Sequence, residues 1–133
     1  MKEIFVFGAN EAGRHGAGAA EYARQYHGAI YGQGYGLQGN SFGIPTKDRQ
    51  FKTLPVESIK IYVDKFKEFA TEHPELSFKL TPVGCGLAGY IPNDIAPLFK
   101  ECPPNVILPI DFIESLEYFE KKKRWEEEDK YNG

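Results

Sequence analysis

Apolar and polar positions alternate along this chain in two rhythms, one of strands and one of helices. Lys2 to Phe7 is β-branched and aromatic and runs into Gly8, which predicts a buried strand. From Ala17 to Tyr26 the residues Ala19, Ala20, Ala23 and Tyr26 recur at helical spacing, predicting a helix with a small-residue face and Gly16 as its flexible start. The stretch from Gly28 to Asn40 carries Gly28, Gly32, Gly34, Gly36 and Gly39 around Tyr31 and Tyr35, fits neither rhythm and reads as a loop. Ser41 to Pro45 is a short strand and Thr46 to Thr53 an exposed connection.

The strongest helical stripe joins Ile59, Tyr62, Val63, Phe66, Phe69 and Ala70 within Pro55 to Glu72, with Pro55 suited to a first turn and His73-Pro74 closing it. Leu76 to Val83 predicts a strand. Pro92 to Glu101 predicts a helix that buries Ile95, Leu98, Phe99 and Cys102, and Val106 to Ile110 a further strand. Asp111 and Glu114 have the Asp-x-x-Glu spacing of a capping box ahead of Phe112, Leu116 and Phe119, predicting a last helix and then a charged tail from Lys121 to Gly133. Strand and helix alternate throughout. The expected fold is therefore a three-layer α/β/α domain with a mainly parallel or mixed central sheet, one domain over residues 1–120 followed by the tail, 121–133.

Composition narrows the function classes. A length of 133 residues suits one hydrophobic core, and 41% hydrophobic with 26% charged residues is ordinary for a globular domain. A formal net charge of −3 argues against a broad basic face for nucleic acid, while leaving room for a small anion in a pocket. The apolar runs are too short to span a bilayer and the amino terminus lacks a secretory pattern, so the expectation is a cytoplasmic protein without a membrane partner. Cys85 and Cys102 form no disulfide framework, and His15, His27 and His73 show no metal-ligand spacing; neither a metal nor a resident cofactor is implied.

Candidate chemistry lies in two glycine-rich loops, each placed after a predicted strand and before a predicted helix, where parallel sheets hold their ligands. Gly84-Cys85-Gly86-Leu87-Ala88-Gly89-Tyr90 can turn its backbone amides inward as a nest for phosphate oxygens, assisted by the positive end of the next helix. Gly8-Ala9-Asn10 and Gly13 to Gly18, including His15, Gly16 and Ala17, repeat the device, and Asn10 is placed to hydrogen-bond a ribose hydroxyl or to satisfy its own turn. A Rossmann-like dinucleotide-binding module is an alternative, with Asp111 as the ribose-binding acid, but little chain follows Asp111 for a second mononucleotide half.

The order of these segments resembles that of the macro domains, a family that binds ADP-ribose and in many members hydrolyses ADP-ribosyl bonds. Phe5-Val6-Phe7-Gly8-Ala9-Asn10 resembles the family's strand ending in Asn-Ala-Ala-Asn, and His15-Gly16-Ala17-Gly18-Ala19-Ala20 its first glycine loop and helix. Ile44-Pro45-Thr46-Lys47 and Gly84-Cys85-Gly86-Leu87 then follow, as in the branch that removes terminal ADP-ribose from acidic side chains or DNA bases. The likeness spans residues 4 to 109. It implies a ligand such as ADP-ribose, free or on an ADP-ribosylated macromolecule, held by Gly8, Ala9, Asn10, His15, Gly16, Ala17, Gly18, Thr46 and Gly84 through Tyr90.

The chain departs from that branch at its reactive positions. Ala88 stands where the branch has an acid after Gly-Cys-Gly-Leu, Arg24 where it has a lysine on the first helix, and Gly18 or Ala19 where other macro hydrolases carry an acid. Arginine stays protonated and is a poor base or nucleophile. Against the family's order, the strand ending at Asn10 is the first that the pattern predicts, so the expectation is that the family's adenine-binding aspartate lacks a counterpart and that Asp48, Asp111, Tyr31, Tyr35 or Tyr90 takes over part of its role. The expectation is a binder, with a hydrolase that recruits Asp48 alongside Asn10, or Glu21 or His15, as the alternative. An interaction scaffold without a small ligand is a third reading, but leaves the clustered glycines unexplained.

Overall fold

A computed structural model describes residues 2–132. A five-stranded mixed sheet of order β2-β3-β1-β4-β5 forms the centre, from β1 (Lys2–Asn10), β2 (Gly36–Gln38), β3 (Ser41–Lys47), β4 (Leu76–Leu80) and β5 (Val106–Ile107). Only β2 runs antiparallel to its neighbour. The helices are α1 (Gly18–Tyr26), α2 (Val56–Glu72), a single turn α3 (Pro92–Ile95) that tightens into a 3-10 turn over Ala96–Phe99, and α4 (Ile110–Asn132). The α/β/α architecture read from the alternating pattern is the one observed.

The pleat of β1 sorts the core. Ile4 and Val6 point to one face, where they join Phe42, Ile44, Phe78 and Leu80 of the neighbouring strands under Ile59, Val63 and Phe66 of α2, Ile95 and Phe99, and Phe112 of α4. Phe7 and Ala9 point to the other face and meet Ala20 and Ala23 of α1, with Phe5 beside them. The alanine face lets α1 lie close to the sheet. Coverage is unequal: on the α1 side, Lys79 and Ile107 of β4 and β5 remain exposed.

Several elements end elsewhere than the sequence pattern predicts. β1 continues to Asn10, and β3 takes in Thr46 and Lys47, so those residues belong to a strand end and not to an exposed connection. Pro45 withholds a ladder donor inside β3, and the β1–β3 register shifts between Ala9 and Asn10 beside it. Part of the predicted glycine loop forms the short β2. The predicted helix from Pro92 to Glu101 is cut short because Pro97 has no N–H to give to the turn before it. Thr81-Pro82 ends β4 early and Pro109 ends β5, while α4 opens at Ile110, with Phe112 and Ile113 donating to the Pro109 carbonyl. Asp111 thus lies within the first turn and caps nothing. α4 also runs unbroken across residue 120, so the charged stretch is the continuation of a helix. No helix among the described residues is long and apolar enough to cross a membrane.

Candidate functional site

Parallel pairing brings the carboxyl ends of β1, β3 and β4 to one edge of the sheet, and a cleft of about 710 Å³ opens there. Gly8, Ala9 and Asn10 line it from β1 and Thr46 and Lys47 from β3. Gly16 through Ala20 line it from the first loop and the start of α1, and Thr81 through Ala88 from the second loop. The two loops converge closely: a Cβ placed on Gly18 would stand 3.4 Å from Leu87 Cδ1, and one on Gly8 would stand 3.5 Å from the Gly84 nitrogen.

Glycine serves different purposes around this edge. A Cβ on Gly34 would collide with the Asn10 carbonyl oxygen and one on Gly43 with the Gly34 carbonyl oxygen, so these glycines are needed for the backbone to pack. Gly84 adopts φ +81°, a left-handed conformation that a side chain would strain. Gly16 and Gly86 differ from all of these. Neither has a left-handed φ, a Cβ on either would meet no atom within 4 Å, and each lines the cleft from an opposite loop. Packing gives no reason for glycine at either position; keeping the cleft open does.

The backbone facing the cleft is rich in unused donors. Among the described residues, the amides of Gly86, Leu87 and Ala88 donate to no protein acceptor. The residue before α1, Ala17, has no side chain to cap the helix, so its first amides are free and carry the positive end of the helix dipole. Arg14 and Lys47 add two cations to the lining, and no aspartate, glutamate or histidine lines the cleft among the described residues. This combination suits a doubly charged anion such as a diphosphate.

The residues singled out from sequence divide into two groups. Gly8, Ala9, Asn10, Gly16, Ala17, Gly18, Thr46, Gly84, Cys85, Gly86, Leu87 and Ala88 come together around the cleft. His15, Asp48, Gly89 and Tyr90 do not line it. His15 is fully buried, with Nε2 2.8 Å from the Gln33 carbonyl oxygen and 3.1 Å from Gln38 Oε1. Two acceptors at Nε2 require the hydrogen there, while the buried Nδ1 has no hydrogen-bond partner. Asp48 uses Oδ1 to accept the amides of Gln50 and Lys52, which closes its own turn. Tyr90 donates its hydroxyl to the Leu54 carbonyl at 2.6 Å.

Asn10 lines the cleft, yet its amide is already engaged. Oδ1 accepts the Arg14 N–H at 3.0 Å, and Nδ2 donates to the Arg14 carbonyl at 2.9 Å, so the side chain grips the backbone of Arg14 from both sides. Arg24 donates Nε to the His15 carbonyl at 3.2 Å and braces the same loop. Glu21, Tyr35 and Asp111 are likewise absent from the lining. Burial, with Asp94 and then Asp111 adding to it, pushes the Cys85 thiol up to about 11, so it is no ready nucleophile.

The pattern reading missed Lys47, Phe51 and the run Thr81-Pro82-Val83 as lining residues. Lys47 and Thr81 each follow directly from a longer or shorter strand than predicted, while Phe51 gave no signal, being an apolar residue in a polar connection. No family model matches the chain, and neither a curated protein nor a solved structure matches it.

Proposed function

We propose that the cleft binds ADP-ribose or a related nucleotide diphosphate and does not cut it. The observation that carries this reading is the pair Gly16 and Gly86, glycines on opposing loops that no packing constraint demands, flanked by free amides. Bare backbone lets phosphate oxygens approach several N–H groups at once, and a helix start adds its field, so an acidic protein can hold an anion with only Arg14 and Lys47 as side-chain cations. The four-segment likeness to macro domains points to the same ligand.

Binding without hydrolysis is favoured because general acid–base work needs a titratable group within reach of the bond to be cut. His15 is sealed in the core, Asp48 is committed to its turn, and Ala88 stands where the resembling branch carries an acid.

Calorimetric titration with ADP-ribose tests the reading. Wild type is expected to give a saturable isotherm, and Gly86→Val and Gly16→Val to weaken it by about ten-fold or more while leaving Tm near wild type, since the Cβ of each new side chain enters open space. Absence of heat with wild type, or an unchanged curve for both variants, would remove the site. Incubation with ADP-ribosylated proteins and DNA is expected to release no ADP-ribose; turnover there would overturn the non-catalytic half of the proposal.

A further inference from the structure

Phe51 is the feature of the cleft that the diphosphate reading leaves unused. It lies in the left-handed region at φ 64°, where a bulky side chain is disfavoured and glycine or asparagine is the ordinary occupant. The turn nevertheless holds it there by a dense set of bonds. Asp48 accepts from Gln50 and Lys52 through Oδ1, the Phe51 amide donates to the Asp48 carbonyl at 3.1 Å, and the Asp48 amide donates to the Lys52 carbonyl at 2.8 Å. Thr53 Oγ1 then donates to the Ala88 carbonyl at 2.9 Å, tying the base of the turn, where Thr53 bridges to Lys47, to the second glycine loop. All this fixes an aromatic ring that lines the cleft while remaining 47% exposed. Phe51 and Glu101 are the two non-glycine residues with positive φ among the described residues, and of the two it is Phe51 that lines the cleft.

The exposed ring already carries a planar partner. The Arg14 guanidinium lies 5.7 Å from the Phe51 centroid, reaching across from the first loop, where Asn10 grips its backbone. Guanidinium and nucleobase compete for the same aromatic face, because both are flat and both are attracted to π density. Tyr31, also exposed, lines the same cleft on a loop joined to the first by the Gly32 amide, which donates to the Gly13 carbonyl at 2.8 Å.

Building on the nucleotide reading above, we propose that Phe51 is the base platform of the site: a purine stacks on its ring in place of Arg14, and the released guanidinium turns to the diphosphate. No carboxylate lines the cleft among the described residues to accept the hydrogens of one particular base edge. Stacking without edge reading tolerates adenine and guanine alike. Asn10 and Asp48 are then positioning residues, one for Arg14 and one for Phe51.

The test uses the full chain and two readouts. Phe51→Leu is expected to weaken ADP-ribose binding in calorimetry by about ten-fold, the loss of one stacked base. The indole introduced by Phe51→Trp is expected to restore affinity and to be quenched by ADP-ribose, ADP and GDP but not by ribose 5-phosphate, with wild type as the blank for the native Trp125. ADP and GDP should bind within about three-fold of each other. Saturable ADP-ribose binding to Phe51→Leu at wild-type affinity, binding to Phe51→Trp without quenching, or rejection of GDP would each overturn the platform while leaving the cleft a nucleotide site. Failure of wild type to bind any of these nucleotides would instead overturn the nucleotide reading beneath it.

Discussion

Gly34 and Gly16 look the same in the sequence and behave oppositely in the structure. At Gly34 a methyl group would run into backbone oxygens and carbons of Asn10 and Glu11, which cannot give way without moving the end of β1. Gly34→Ala is therefore expected to cost roughly 2–4 kcal/mol of unfolding free energy in a denaturant titration, and Gly16→Ala close to nothing. Equal effects would mean that the two loops are more pliant than their bonds indicate. Cys85 offers a second check at this scale. With its thiol held up to about 11, alkylation at neutral pH should be slow, should accelerate steeply with rising pH, and should be suppressed by bound ADP-ribose, since the residue lines the cleft. Labelling as fast as that of a free thiol would contradict the burial that raises it.

Side-chain roles were the least legible part of the sequence for a physical reason. Asn10, His15 and Asp48 are residue types that serve ligands and turns equally well, and the choice depends on which backbone groups come within 3 Å of them. Linear spacing does not contain that information. His15 depends on Gln33 and Gln38, far along the chain, and the sequence pattern offers no link between them. The glycine segments were legible as places, because strand-to-helix turns on a parallel sheet share one edge whatever their side chains do.

At the scale of elements, two contacts tie α2 to the sheet, one beside the end of β1 and one at the opposite rim. Tyr62 of α2 donates its hydroxyl to Glu11, the residue directly after β1, and burial, this hydrogen bond and the Glu11 charge push the phenol from 10.0 to about 12. A phenol raised in the folded state leaves stability intact below pH 10, where the unfolded chain also keeps its proton, and erodes it as pH climbs through about 12. Tyr62→Phe should flatten that decline in a pH series of Tm values, and an unchanged slope would remove the bond from the account. Asn105, just before β5, holds Nδ2 3.0–3.1 Å from the carbonyl oxygens of Ala70, His73 and Leu76, which share its two hydrogens, and so ties off the end of α2. Asn105→Ala should lower stability by roughly 1–3 kcal/mol by removing these side-chain hydrogen bonds, although the Ala70 and His73 carbonyls keep the His73 and Leu76 amides, measured as a shift in urea midpoint at constant slope. Nothing in the periodicity marks Asn105, since it lies in a turn between two prolines and β5. Strand and helix centres were legible because apolar period sets them, and the ends were not, because Pro45, Pro97 and Pro109 act through single missing donors or chain direction.

For the whole molecule, parallel strands and crossing helices place every cleft residue on one rim, while most of the aromatic core lies between the sheet and α2, α3 and α4. The cleft lining and the folding contacts are thereby largely separated, which is why the glycine variants above are expected to alter the one and spare the other. α4 goes its own way. It buries Phe112 and Ser115 near its start, but from residue 120 to 131 every residue is exposed, and its 23 residues extend roughly 34 Å at helical rise. A basic block at Lys121–Arg124 precedes an acidic one at Glu126–Asp129, so negative charge gathers near the helix's own negative end. The outer turns thus act as a lever arm on a compact body: rotational diffusion becomes anisotropic, and amides along the arm relax with a different correlation time from those of the sheet.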